Sequence, residues 1–269
     1  MKKKIIIKIV LIILFVAGIT GIAALYYRSF KTTEVVKEVK EKLIKIPEYQ
    51  QKMRYYKING QLVQEKFYDL YMGNEDFVGW ITIEDTPIDY PVMQNGDKYL
   101  HKNYKCEYDY AGCIFADEKC DINLPSDNIL LYGHHMNTNI MFTPLMKYED
   151  QKYAVSHRFI KFDTLCENGT YEVIAAFRTQ IYPEDYKRFA YYRYAGALSE
   201  EEFAEYIENI RKVSVINMGI DVSYGDKLLS LSTCAYHVSN GRFVVVAKKC
   251  DYTRIDENAI LIKNINTMK

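Results

Sequence analysis

The sequence predicts a mainly β domain with a few helices, an α+β barrel or sandwich that follows N-terminal helices. Three observations predict it. Six or more short runs rich in β-branched and aromatic residues lie between residues 77 and 249, separated by turn signals. One clearly amphipathic helix interrupts the late runs. A long apolar segment occupies the N-terminus, ahead of anything strand-like. The chain has 269 residues, 49% of them apolar, which is enough for one substantial core plus appendages. Lys and Arg balance Asp and Glu at 35 each, so there is no bulk charge to draw a nucleic acid.

The first element runs from Ile5 to Tyr27, 23 residues interrupted only by Lys8 and preceded by three lysines. At about 1.5 Å per residue such a helix spans a hydrocarbon core of about 30 Å. The lysines hold the N-terminus in the cytoplasm, so the rest of the chain is expected outside, a single-pass protein of the cell membrane. The run exceeds the usual core of a cleaved signal peptide, which favours an uncleaved anchor ending near residue 28. Residues 29–58 are charged and compatible with helix up to Pro47, as in a juxtamembrane stalk. Leu62, Phe67, Leu70 and Tyr71 then recur at roughly helical spacing, predicting a second helix over 59–74.

Extended runs follow at 77–84 and 88–94, flanking an Asp-Thr-Pro turn, and at 112–118, 128–134, 158–164 and 170–180. The last two are joined by the turn signal Glu167-Asn168-Gly169. Over 198–214, Ser199 and Glu202 form a capping box, and Phe203, Tyr206, Ile207 and Ile210 form the apolar stripe. The final strands are 228–234 and 242–249. The main domain is thus placed at 59–252, and 253–269 is read as a tail.

Six cysteines fall in the exterior part, and an even count in an oxidising compartment permits disulfides. Cys106, Cys113 and Cys120 lack the close pairing of a zinc site and read as small apolar residues. Cys234 ends a strand, and Arg242 begins the next. If the two strands pair as a hairpin, the link Ala235–Gly241 brings thiol and guanidinium together. A nucleophilic cysteine needs a cation or base nearby to form its thiolate. An arginine cannot take a proton, so it would hold substrate and stabilise an oxyanion. On spacing alone, an arginine with its head in water and a structural or disulfide-paired cysteine stand level with the reactive pair. His134 and His135 end another strand just after a glycine. Strand neighbours point to opposite faces, so the two would not chelate one metal. His237 reads as an exposed loop histidine, and His101 and His157 are assigned no role.

Taken together, Ser230-Leu231-Ser232-Thr233-Cys234, the arginine eight residues on, and Tyr132-Gly133-His134-His135-Met136 upstream resemble a sortase. The first serine stands where the family's TLxTC signature has threonine, which keeps a hydroxyl. The stretches 88–100, 112–118, 129–148 and 214–222 look like class B sortases in particular, and the likeness runs from about Val78 to Lys249. Sortases are membrane-anchored cysteine transpeptidases of Gram-positive bacteria. The resemblance implies a closed β-barrel with N-terminal helices and one helix between late strands. It implies that Cys234 attacks the carbonyl of a threonine in a C-terminal sorting signal, NPxTN-like or LPxTG-like, forming a thioester. His134 would be the general acid/base and Arg242 the oxyanion and signal holder. Ser232 and Tyr186 would line the signal groove, and the acceptor would be an amine of a peptidoglycan precursor. No cofactor or metal is implied. Two other readings stay in view: a cysteine hydrolase of cell-wall peptides, and a non-catalytic, membrane-tethered binding domain in which Cys234 is disulfide-paired with Cys250 or Cys166.

Overall fold

The computed structural model describes residues 2–43, 54–123, 126–183, 186, 188–236, 238–250 and 260–265. A single helix, α1 (Lys2–Glu41), opens the chain and is about 60 Å long at the usual rise. Its apolar side chains from Ile7 to Tyr27 lie bare on every side, and the helix is long and apolar enough to cross a membrane. Beyond Arg28 its surface becomes two-faced. Thr32 and Val39 are buried against the domain, Val35 and Val36 are half-buried, and Lys37, Lys40 and Glu41 face out. Arg28, Thr32, Val35, Val39 and Lys42 recur every three or four residues and so share one side.

Specific contacts fix this docking. Thr32 Oγ1 donates to Asp109 Oδ1 at 2.8 Å, Arg28 lies 5.4 Å from the ring centre of Tyr110, and Lys105 and Lys40 pair with Glu38 and Asp89. The charged segment read as a stalk therefore continues α1 as far as Glu41 and packs on the domain rather than standing clear of it. Pro47 lies outside the described residues.

The helix predicted over 59–74 is mostly something else. Strands β1 (Arg54–Ile58) and β2 (Gln61–Gln64) form an antiparallel hairpin around Asn59 and Gly60, whose φ angles of 49° and 90° are both left-handed. That is the two-residue turn for which Asn-Gly is suited, and it overrides the helical spacing of the apolar residues. Only α2 (Tyr68–Gly73) is α-helical, after one turn of 3-10 helix at Glu65–Phe67. Phe67 and Leu70 still reach the core, with Val39, Ile58, Phe77, Trp80 and Tyr99. Within the segment read as a tail, Ile260–Ile265 forms a strand that pairs parallel with β1.

The centre is a closed eight-stranded barrel. Its strands are β3 (Phe77–Thr82), β4 (Asp89–Met93), β5 (Ile114–Ala116), β6 (Asn128–Tyr132), β7 (Phe159–Thr164), β8 (Thr170–Gln180), β9 (Leu228–Cys234) and β10 (Gly241–Lys249). Counting the C-terminal strand as β11 (Ile260–Ile265), the barrel order is β10-β8-β7-β3-β4-β5-β6-β9, with β9 closing on β10. Most neighbours are antiparallel, but β4–β5 and β6–β9 are parallel. β5 is shorter than the run that predicted it. Gly112 sits at φ 59°, and a Cβ there would lie 2.3 Å from the Tyr99 carbonyl oxygen, so the extended chain begins only after it.

A short helix, α3 (Gln151–Ser156), precedes β7, and α4 (Glu200–Val213) lies between β8 and β9. α4 matches its sequence expectation closely. Ser199 Oγ accepts from Glu202 N, Glu202 Oε2 accepts from Ser199 N, and Phe203, Tyr206, Ile207 and Ile210 are buried. Three glutamates in its first turn and Arg211 and Lys212 in its last complement the helix dipole. The Tyr206 hydroxyl meets Ser230 Oγ at 2.8 Å, and Ser230 Oγ donates to Asn128 Oδ1 at 2.8 Å. This buried polar chain ties α4 to β9 and β6.

Candidate active site

Strand register decides which groups meet. β9 pairs antiparallel with β10 so that Cys234 stands opposite Arg242. On its other edge β9 pairs parallel with β6, Tyr132 opposite Ser232, and Gly133 N donates to Ser232 O at 3.0 Å. Two residues further along both chains, His134 comes level with Cys234. Neighbouring strands are about 4.8 Å apart. Cys234 therefore stands between the positions of His134 and Arg242, at one end of the barrel.

These groups line a cavity of about 340 Å³, together with Tyr132, Gly133, Thr233, Leu100, Asp97 and Ile181. A larger hollow of about 640 Å³ runs along α4 past Phe203, Arg211 and Tyr224, and its wall contains neither a thiol nor an imidazole. Alternate residues of β9 share a face. On the face of Cys234, the hydroxyl of Ser230 is held by Tyr206 and that of Ser232 by Tyr191, at 2.6 Å. Residue 234 is the next position on that face, half-buried and lining the cavity. Thr233 Oγ1, in the cavity wall, is buried with no hydrogen-bond partner among the described residues.

The two adjacent histidines have separate surroundings. His135 Nδ1 donates to the carbonyl oxygen of Cys234 at 2.9 Å, and its ring packs on Tyr236 with centroids 5.2 Å apart. It braces the backbone beside the thiol. His134 lines the cavity, and its carbonyl accepts from Phe142 N at 3.0 Å, which closes the loop that follows it. Burial lowers the pKa of His134 below the usual histidine value. The nearby His101 lowers it further, Arg242 adds slightly to the effect, and Asp109 opposes it. The imidazole is thus kept neutral near pH 7, able to accept a proton.

Of the residues singled out in the sequence, His134, Cys234, Arg242 and Ser232 line one cavity. The Ser232 hydroxyl is turned to Tyr191. Tyr186 is not in the cavity wall. It is 39% exposed and stacks on Tyr182 at 5.1 Å, in the loop that leaves the wall at Ile181. His101, assigned no role, has its ring centroid 5.5 Å from that of His134. His157 stacks on Tyr153, and His237 lies outside the described residues. Tyr191 and His101 were not legible in advance, because each reaches the site from a loop whose path no local pattern specifies. Among the described residues Cys234 forms no disulfide, so the pairing with Cys250 or Cys166 that the binding-domain reading requires is not made.

Comparison with known proteins agrees with this geometry. The sortase domain profile matches residues 81–250. Sortase B of Listeria monocytogenes is 34% identical over 195 residues, covering 71% of this chain and 76% of the relative. Sortase B of Staphylococcus aureus is 32% identical over 190 residues, covering 69% and 75%. Among solved structures, Bacillus anthracis sortase B in complex with AAEK1 superposes with a TM-score of 0.69 at 32% identity, covering 83% of this chain and 98% of that one. A Staphylococcus aureus sortase B–substrate complex gives 0.65 at 29% identity, covering 76% and 89%. With its eight-stranded barrel and strand-end cysteine, the chain belongs to the sortase family of cysteine transpeptidases, in class B.

Proposed function

We propose that Cys234 is the nucleophile of this transpeptidase, His134 its general acid/base and Arg242 the group that holds the signal and steadies the oxyanion. The observation that carries the assignment is the register around β9, which sets Cys234 between His134 and Arg242 at the edge of an open cavity. Neutral His134 takes the proton of the Cys234 thiol, and the resulting thiolate sulfur adds to the carbonyl carbon of a threonine in a C-terminal sorting signal, NPxTN-like or LPxTG-like. The tetrahedral oxyanion faces Arg242. As the C–N bond breaks, His134 delivers a proton to the departing amine, leaving a thioester on Cys234. An incoming amine, that of a peptidoglycan precursor, loses its proton to His134 as it attacks. The C–S bond then breaks and the thiolate is restored.

Ser232 acts here through Tyr191, fixing the strand beneath the nucleophile, and Tyr186 borders the approach to the groove. One of the similar structures is a substrate complex, which supports a sorting-signal-bearing protein as first substrate. α1 anchors the enzyme in the cell membrane with its N-terminal lysines in the cytoplasm and its barrel outside, as its bare apolar length supports.

The test uses the full chain in detergent with quenched fluorescent peptides bearing NPxTN, LPxTG and related signals, with and without an amine acceptor. Cleavage after threonine that vanishes in Cys234→Ala, and ligation that needs the amine, are the expected results. Cleavage that survives in Cys234→Ala would overturn the assignment.

A further inference from the structure

Ring contacts lead from the cavity to the end of the apolar part of α1: His134 lies beside His101, His101 beside Tyr110, and Tyr110 beneath Arg28. The apolar run stops at Tyr27, and the next residue, Arg28, sits over the ring of Tyr110. One turn on, about 6 Å along the axis, Thr32 holds Asp109. The segment Tyr108–Tyr110 therefore occupies a slab that starts where the hydrocarbon-length run ends. A bilayer's polar layer is about 5–7 Å thick on each side, the same depth.

What this segment offers at that depth is aromatic and held outward. Tyr108 is 71% exposed and Tyr110 45%, while Asp109 between them is buried and its N–H donates to the His101 carbonyl at 3.1 Å. The backbone is thus pinned with both rings facing out. Tyr236 is 76% exposed, and partial burial, then Cys234 and then Tyr110 raise the pKa of its hydroxyl. It packs on His135, on the far side of Cys234. His101 connects this rim to the chemistry, since its ring lies near Tyr108, Tyr110 and His134 alike. Tyrosine, apolar in body and polar at its tip, is the residue type that favours the headgroup layer.

We infer that Tyr108, Tyr110 and Tyr236 rest in the headgroups of the leaflet from which α1 emerges, so that the Cys234–His134 cavity opens onto the membrane surface. This rests on the reading of α1 as the anchor. Docking of α1 along Arg28, Thr32, Val39 and Lys42 fixes the height of the barrel, and the tyrosine rim is the part that this docking carries down to the lipid. Substrates held at that surface reach Cys234 along the plane of the bilayer.

The test uses the full chain in phosphatidylcholine–phosphatidylglycerol vesicles whose headgroups carry a nitroxide quencher. Trp80, the single native tryptophan, is 6% exposed, and the unmodified protein serves as the blank. Tryptophan is introduced singly as Tyr108→Trp, Tyr236→Trp, Tyr27→Trp and Tyr224→Trp, the last being 53% exposed beside α4. Quenching at 108 and 236 that approaches the value at 27, and exceeds that at 224 several-fold, is expected. Strong quenching at 27 with no excess at 108 over 224 overturns the inference and leaves the anchor standing. No quenching at 27 overturns the anchor and the inference with it.

Discussion

Gly133→Ala tests how the barrel aims His134. A Cβ at position 133 would lie 2.5 Å from Ile114 Cδ1 and 2.6 Å from two ring atoms of Phe142. Its φ is outside the left-handed region, so the problem is crowding rather than backbone strain. Neither neighbour has room to retreat, since both are fully buried. Overpacking of this kind costs about 1–3 kcal/mol. Taking about 2 kcal/mol, a domain of this size loses about 4–8 °C of Tm. The activity loss should be larger. Phe142 N donates to the His134 carbonyl, so pushing the ring away carries the histidine with it. A shift of about 1 Å at a catalytic group costs about 100-fold in rate. Thermal unfolding and peptide cleavage per folded molecule, both on the full chain in detergent, read the two effects. Gly169→Ala is the comparison: its Cβ would lie 2.7 Å from Phe162 O and 2.8 Å from Tyr171, at the β7–β8 turn. It should lower Tm to a similar degree and leave kcat intact. If Gly133→Ala lowers Tm with kcat unchanged, or if both variants lose rate equally, the link from Gly133 through Phe142 to His134 is refuted.

His101→Gln removes a neighbour that holds the His134 pKa down, so the limb of the pH–rate profile that His134 governs should move to higher pH. An unmoved limb would show that His101 only fills space. The same pKa has a consequence for stability. Folded His134 binds protons less readily than the unfolded chain does, so the unfolded state gains as pH falls through the histidine range. His101→Gln should lessen that loss, as Tm measured across that range would show. Thr32→Val removes a hydroxyl donor from the buried Asp109 carboxylate, at a cost of about 1–3 kcal/mol, or about 2–12 °C of Tm. An unchanged Tm would mean that α1 does not dock through Thr32.

How much of the fold was legible depended on whether local signals agreed. Along 198–214 the capping box, the apolar stripe and the terminal charges all indicate one helix, and each is found in place. Along 59–74 they conflict. Leu62, Phe67 and Leu70 have helical spacing, but Asn59-Gly60 is a hairpin turn, and the turn prevails because β1 gains partners on both edges, β2 and β11. The docking of α1 was also hidden. Thr32, Val35, Val36 and Val39 make only a weak stripe, and that stripe gains meaning once Asp109, Tyr104 and Tyr110 have folded beside it.

The site divides along similar lines. Cys234 and Arg242 belong to one hairpin, so sequence distance alone places them opposite each other. His134 belongs to another strand, and its arrival depends on the parallel pairing of β6 with β9, which nothing local specifies. What the sequence did supply was the strand end, marked by Gly133, and among six cysteines that was the useful clue. Cys113, Cys120 and Cys166 are buried, and burial pushes their thiols up, the last two to about 11, so they stay protonated and unreactive at neutral pH. Cys250 is exposed, and its sulfur meets the Thr170 carbonyl. Cys106 is half-buried among Tyr99 and Asn74. Of the six, only Cys234 shares the cavity wall with an imidazole and a guanidinium, and the hydroxyl of the residue before it has no hydrogen-bond partner among the described residues. The proposed nucleophile is set apart here by what the barrel leaves uncovered at the end of β9, and strand ends are the part of a barrel that a sequence marks most clearly.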